Sequence, residues 1–185
     1  MSKAALLPAI RSVKSLFLLR FRAVASLVLA VGPVFPAAHA QQKPEPPAPR
    51  LEFVYEEVVT LGQDIPFGTT PWGKRNIVPI TGGVFTGEKL DGKVLSGGWD
   101  WQLTTPTGCF SLHADYMIRT DDGVMIHVVN SGTVCGTGQE LLTNPVIEAP
   151  EGKYGWLNGG VYVSSIEGTQ LDGKRAVRIR IYRAR

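Results

Sequence analysis

The stretch Cys109 to Cys135, CFSLHADYMIRTDDGVMIHVVNSGTVC, decides the fold. Two β-type runs flank Asp122-Gly123, a dipeptide whose residues tolerate the positive φ of a tight hairpin turn. With Asp122 and Gly123 as a two-residue loop, Asp121 faces Val124, Arg119 faces Ile126, Met117 faces Val128 and Asp115 faces Asn130. Period-two alternation then puts Ser111, His113, Asp115, Met117, Arg119, Ile126, Val128 and Asn130 on one face. Phe110, Leu112, Ala114, Tyr116, Ile118, Met125, His127 and Val129 form the other, mostly apolar face. The same register sets Cys109 opposite Gly136, so one bulge or a one-residue slip would let Cys109 and Cys135 staple the open end of the hairpin.

Upstream, the chain begins with features of an export leader, expected over residues 1–40. Lys3, Arg11, Lys14, Arg20 and Arg22 precede a short apolar core, Ala23 to Phe35, and Ala38-His39-Ala40 is a small-residue cleavage signal. The apolar run is shorter than a bilayer span and is interrupted by Pro33 and Pro36, so no stable membrane insertion is expected after cleavage. The expected location is periplasmic or secreted. Removing the five leader cations from 19 Lys+Arg leaves 14 against 16 Asp+Glu, a net charge near −2. That balance removes the electrostatic case for nucleic-acid binding. An oxidising compartment also makes a Cys109–Cys135 disulfide the natural reading of the even cysteine count. Residues 41–50, QQKPEPPAPR, read as a disordered proline-rich tether, and 51–185 as one domain.

Within that domain, Leu51 to Thr60 alternates and then slips, as a bulged strand would. Gly62 to Lys74 reads as a loop carrying Phe67 and Trp72, and Arg75 to Phe85 as a strand broken by Gly82-Gly83. Asp91-Gly92 and Asp172-Gly173 read as further tight turns. Trp99 to Thr104 alternates strictly, with Asp100 and Gln102 on one face and Trp99, Trp101 and Leu103 on the other. Gly136 to Pro150 reads mostly as connection, a strand falls within Tyr154 to Ser165, and Ala176 to Tyr182 closes the chain with Val177, Ile179 and Ile181 inside. Sustained helical periodicity is missing after the leader. The fold class is therefore all-β, a single antiparallel β-barrel of lipocalin- or streptavidin-like architecture with an internal cavity, a sandwich being the alternative.

Chemistry is sorted first by what is missing. The mature chain holds only His113 and His127, assigned to opposite faces, so no metal site is expected; neither a GxSxG elbow nor a P-loop is present, and no cofactor is expected. Asp100 lies between two tryptophans, where an apolar setting would raise its pKa towards acid/base use. The competing reading makes Asp100 and Gln102 the solvent face of a strand whose tryptophans are core. His113 and Asp115 share a strand face and could assist Asp100 as a catalytic pair, or be an exposed polar pair. Candidate ligand-binding residues are Gln102, Arg119, Asn130, Tyr154 and Trp156, the last two as pocket caps or core aromatics.

Three segments, RNIVPITGGVFTGEKLDGKVLSGGWDWQL, RTDDGVMIHVVNSG and YGWLN, resemble in that order the family known as domain of unknown function 3237. The resemblance runs from about Leu51 to Tyr182 and is most specific at Gly97-Gly98-Trp99-Asp100-Trp101 and Asp122-Gly123. It implies a closed antiparallel barrel with a cavity, matches Asp100 to a recurrent aspartate and places Asn158 in a Trp-Leu-Asn segment. At His113 and Asp115 the chain departs from the acid-x-arginine of similar proteins, so no role for that pair carries over.

The functional expectation is an exported barrel that binds a small-molecule ligand, as a cofactor-independent lyase, isomerase or hydratase acting on a small hydroxy or carbonyl compound. A non-catalytic ligand-binding barrel is the alternative, and association into a homo-oligomer is compatible with either.

Overall fold

The computed structural model describes residues 45–185; the expected leader and the first residues of the tether lie outside them. Ten strands follow in sequence: β1 (Leu51–Leu61), β2 (Ile65–Thr70), β3 (Gly73–Thr86), β4 (Asp91–Val94), β5 (Gly98–Thr104), β6 (Phe110–Thr120), β7 (Met125–Val134), β8 (Leu142–Glu148), β9 (Tyr162–Leu171) and β10 (Lys174–Ala184). A single 3₁₀ turn, Gly155–Leu157, stands between β8 and β9. All pairings are antiparallel, and the sheet closes because β1 pairs with both β10 and β3. The circuit β1–β10–β9–β8–β7–β6–β3 has one further position, shared end to end by β4 and β5, which makes an eight-stranded barrel. Closure removes the exposed edges that an open sheet of this length would carry.

Three segments differ from their sequence reading. The loop expected over Gly62 to Lys74 contains β2, which pairs with β3 from Ile65↔Ile77 to Thr70↔Gly73. The connection expected after Gly136 contains β8, whose alternate residues Thr143, Pro145 and Ile147 are buried. Asp91-Gly92 begins a strand instead of making a turn: Asp91 Oδ1 accepts from Thr86 Oγ1 at 2.6 Å and from the Gly87 amide at 3.2 Å, bracing the turn before it.

The central hairpin also has a different register. Arg119 pairs with Met125, Met117 with His127, Asp115 with Val129 and Ala114 with Asn130, one residue from the arrangement that a two-residue loop gives. The loop has three residues, Asp121, Asp122 and Gly123, closed by the Gly123 amide on the Thr120 carbonyl at 2.8 Å and the Thr120 amide on the Val124 carbonyl at 3.0 Å. Gly123, at φ 91°, occupies the positive-φ position that ends such a loop. The slip turns β7 over relative to its expected facing: Ile126, Val128 and Asn130 point inward, and Met125, His127 and Val129 outward. It also aligns the cysteines, and Cys109–Cys135 is a disulfide with Cα atoms 4.2 Å apart.

Inside, Tyr55, Ile118, Ile126, Val128, Leu157 and Ile181 are fully buried and fill the end of the barrel nearest the Asp122 turn. The Gly155–Leu157 turn plugs that end. Asn158 clamps it by accepting the Ala149 amide and donating to the Ala149 carbonyl, both at 2.8 Å, and Tyr154 reaches Asp122 Oδ1 at 3.0 Å. On the outer wall Arg178 and Arg180 bridge Glu56 and Glu167, as expected for the outward residues of the last strand.

The disulfide spans 26 residues at the open end of the hairpin. On chain-entropy grounds a loop of this length stabilises by about 3.5 kcal/mol. A Cys109→Ser/Cys135→Ser variant is expected to unfold at a correspondingly lower urea concentration while keeping its β circular-dichroism signature.

Candidate functional site

The core does not fill the barrel. Between the plugged end and the disulfide lies a cavity of about 210 Å³, lined largely by apolar groups that include Val59, Ile80, Leu112 and Ile179. Four polar side chains enter this lining: Asp100, Gln102, Tyr116 and Asn130.

Asp100 and Gln102 reach the cavity because β5 is turned with its aromatics outward. Trp99 and Trp101 are 42% and 40% exposed, whereas Asp100 is 9% exposed, so the tryptophans are not core. Gly98 makes room for this arrangement: a Cβ there would lie 2.6 Å from the Tyr116 Cβ and 2.8 Å from the Asp115 carbonyl. Across the sheet, Asp100 pairs with Ala114 and Ala114 with Asn130. The small Ala114 side chain thus separates two inward polar groups whose strands lie roughly 10 Å apart.

Asp100 is held by a chain of hydrogen bonds that starts at the rim. Asp64, paired with Arg175 at 2.5 Å, accepts from Asn76 Nδ2 at 3.2 Å. The same Asn76 nitrogen donates to Gln102 Oε1 at 3.2 Å. With its oxygen so engaged, Gln102 presents Nε2 to Asp100 Oδ2 at 2.7 Å. The other carboxylate oxygen, Asp100 Oδ1, is buried without a hydrogen-bond partner among the described residues. Burial raises the Asp100 pKa, and the bonds from Gln102 and the His113 backbone only partly oppose it. A carboxylate with one oxygen anchored and the other bare in an apolar chamber is suited to taking up a proton from something placed beside it.

A second carboxyl group lies deeper. Glu57 is fully buried on β1, and Tyr116, which lines the cavity, donates its hydroxyl to Glu57 Oε1. Burial pushes the Glu57 pKa up to about 7, against the lowering effect of the tyrosine. Glu57 Oε2 and the Tyr55 hydroxyl are both buried without hydrogen-bond partners. Sequence reasoning missed Glu57. The signal was the inward run Tyr55, Glu57, Val59, hidden because the bulge between Phe53 and Tyr55 leaves the strand's facing open.

Asn130 lines the cavity, donates to Ser164 Oγ at 3.4 Å and keeps Oδ1 unpartnered. The remaining candidates are elsewhere. His113 and Asp115 lie on the outer wall, where His113 Nδ1 meets Ser131 Oγ at 2.7 Å and Asp115 meets His127 at 2.7 Å. Their side chains leave the sheet on the face opposite to Asp100 and do not line its cavity. Arg119 is exposed near the hairpin turn, outside the cavity. Tyr154 and Trp156 belong to the plugged end and do not line that cavity.

Residues 49–184 match the family described as Protein of unknown function (DUF3237). The chain belongs to this family. Among its relatives, a UPF0311 protein of Rhodopseudomonas palustris is 32% identical, over 63% of this chain and 88% of the relative. A protein of Penicillium herquei named hydroalkoxylation enzyme phnH is 27% identical, over 61% of this chain and 71% of that one. The crystal structure of a β-barrel-like protein from Acinetobacter baumannii aligns with a TM-score of 0.68 at 30% identity, covering 77% of this chain and all of that one. The DUF3237 barrel is thus the shared scaffold.

Glu57 makes stability depend on pH in a defined direction. Its folded pKa of about 7 lies above the ordinary 4.5, so the native state holds a proton that the unfolded chain releases, and this contribution is lost as pH rises through 7. Urea unfolding of the wild type is expected to lose about 3 kcal/mol more than that of Glu57→Gln between pH 4.5 and pH 8. Parallel pH profiles of the two proteins would contradict this assignment.

Proposed function

We propose that this chain is an exported, cofactor-independent enzyme of lyase or hydratase type. It would add an oxygen nucleophile across a polarised double bond of a small molecule, or remove one. The observation that carries the reading is the bare, buried Oδ1 of Asp100 in a mainly apolar chamber. The chamber's size selects the substrate class: a dry cavity of about 150 Å³ accepts benzene, so about 210 Å³ suits a single ring with short substituents.

In the addition direction, Asp100 Oδ1 removes the proton of the attacking hydroxyl while its oxygen forms the new C–O bond. The displaced π electrons move into the conjugated carbonyl. The Tyr116 hydroxyl then turns from Glu57 to give its proton to the substrate and takes one from Glu57, whose raised pKa keeps it protonated up to about pH 7; exchange with solvent afterwards removes the proton from Asp100 and returns one to Glu57. Elimination runs the same transfers in reverse. Gln102 fixes the carboxylate, and the unpartnered Asn130 Oδ1 offers an acceptor for a substrate hydroxyl. The name of the Penicillium herquei relative, a hydroalkoxylation enzyme, supports this reaction class. Export is supported by the leader-like residues 1–40 and by the Cys109–Cys135 disulfide, which suits an oxidising compartment.

Compounds retained from a metabolite extract supply the substrate for the test. Asp100→Asn is expected to keep ligand affinity within a few-fold while losing roughly 10²- to 10⁴-fold in turnover. The pH–rate profile is expected to rise as Asp100 ionises above the ordinary aspartate range and to fall near pH 7 as Glu57 loses its proton; in Glu57→Gln the fall near pH 7 disappears. Unchanged turnover in Asp100→Asn would overturn the acid/base reading, and tight retention without any turnover in the wild type would favour a binding barrel.

A further inference from the structure

At the disulfide end of the barrel a second recess, of about 340 Å³, adjoins the cavity: Gln102 and Phe110 line both. Its other polar lining residues are Asp64, Lys74, Arg75, Asn76 and Thr104. The strand register explains why they gather there. Along β3, Ile80 and Val78 are buried and Asn76 reaches Gln102 from the same face, so Lys74 is the next position of that facing towards the rim. Lys74 pairs with Thr104 across β3 and β5, just as Asn76 pairs with Gln102 and Val78 with Asp100. Lys74 and Thr104 are therefore the outermost step of the ladder that carries Asp100.

The charges of this recess are not balanced. The carboxylate in its lining, Asp64, is engaged by Arg175 and by Asn76 Nδ2. Lys74 has no carboxylate partner and Thr104 Oγ1 no hydrogen-bond partner among the described residues, and Arg75 adds a second positive charge to the lining. Both Lys74 and Thr104 are exposed, so a ligand group meets them without displacing a packed side chain. Directly opposed residues of an antiparallel pair hold their Cβ atoms about 5 Å apart, close enough for an ammonium and a hydroxyl to donate to one carboxylate.

We propose that Lys74 and Thr104 form a carboxylate-binding subsite at the barrel mouth, so that the molecule taken up is an arylalkanoate with its ring in the cavity and its acid group at the rim. This rests on the reading of the cavity as a ligand site. Lys74 stands four residues before Val78, the cross-strand partner of Asp100, and four residues of strand span about 13 Å. The flexible lysine stem covers part of that distance, and a ring with a short chain covers the rest. The orientation is set by charge: an ionised Asp100 repels a carboxylate, whereas the cationic mouth attracts one and draws anions from solution.

The test titrates the full chain with 3-phenylpropanoate and with its neutral counterpart 3-phenylpropanamide, reading affinity by calorimetry and location by NMR of the Ile80 and Leu112 methyl groups in the cavity lining. Both probes are expected to shift those methyl signals, with the acid bound about 5- to 10-fold more tightly than the amide, and with that preference shrinking as ionic strength rises. Lys74→Gln, at an exposed rim position, is expected to abolish the preference while leaving amide affinity unchanged, and Thr104→Val to reduce it about 2- to 5-fold. Equal affinity for acid and amide in the wild type, or a preference for the acid that survives Lys74→Gln, would overturn the subsite while leaving the cavity as a ligand site. Methyl signals unmoved by either probe would overturn the cavity reading and this inference with it.

Discussion

The register of the β6–β7 hairpin is the constraint from which the rest of the structure follows. A strand has two faces and a period of two, so one residue of slip exchanges everything that points in for everything that points out. The three-residue loop ending at Gly123 selects the register at one end, and the Cys109–Cys135 disulfide pins it at the other. Between these fixed points Asn130 enters the cavity while His127 and Met125 leave it. The inward Asn130 and the outward His127 and Met125 are two consequences of a single turn geometry.

That turn also marks where sequence reading stops. Asp-Gly between two β runs identifies a hairpin, yet the dipeptide serves a two-residue loop as well as the end of a three-residue one. The cysteines held the missing information, since they align only after a slip of one residue. Closure into a barrel was legible because turn signals recur at short intervals and no helical period competes. The strands β2 and β8 were not, because Pro66, Gly68 and Pro145 interrupt their patterns with residues that usually mark loops.

The site was legible in part for a related reason. Strict alternation in WDWQLT puts Asp100 and Gln102 on one face, but alternation cannot say which face is inside. Hydrophobicity alone would bury the tryptophans, and the structure does the reverse. Paired strands settle the matter: β5 lies beside β6, whose inward residues Leu112, Ala114 and Tyr116 require Gln102, Asp100 and Gly98 as their cross-strand neighbours. Glu57 escaped because Glu56 and Glu57 are adjacent, one facing Arg178 and Arg180 outside and the other Tyr116 inside, and a bulge upstream decides which is which.

Two carboxyl groups in one barrel interior would repel if both were ionised, and the lining differentiates them. Asp100 lies towards the open end and draws on a hydrogen-bond relay that reaches the surface pair Asp64–Arg175, so its charged form receives support. Glu57 is beneath, with a tyrosine hydroxyl as its hydrogen-bond partner and no cation among the described residues against it, so burial dominates and its neutral form persists into the neutral range. The separation arises from position along one barrel axis and requires no further element. A fold selected for stability alone would gain by replacing both groups with aliphatic side chains of similar volume, since buried, incompletely bonded carboxyls are costly. Their presence beside an unfilled chamber is the cost that the proposed acid/base reading accounts for.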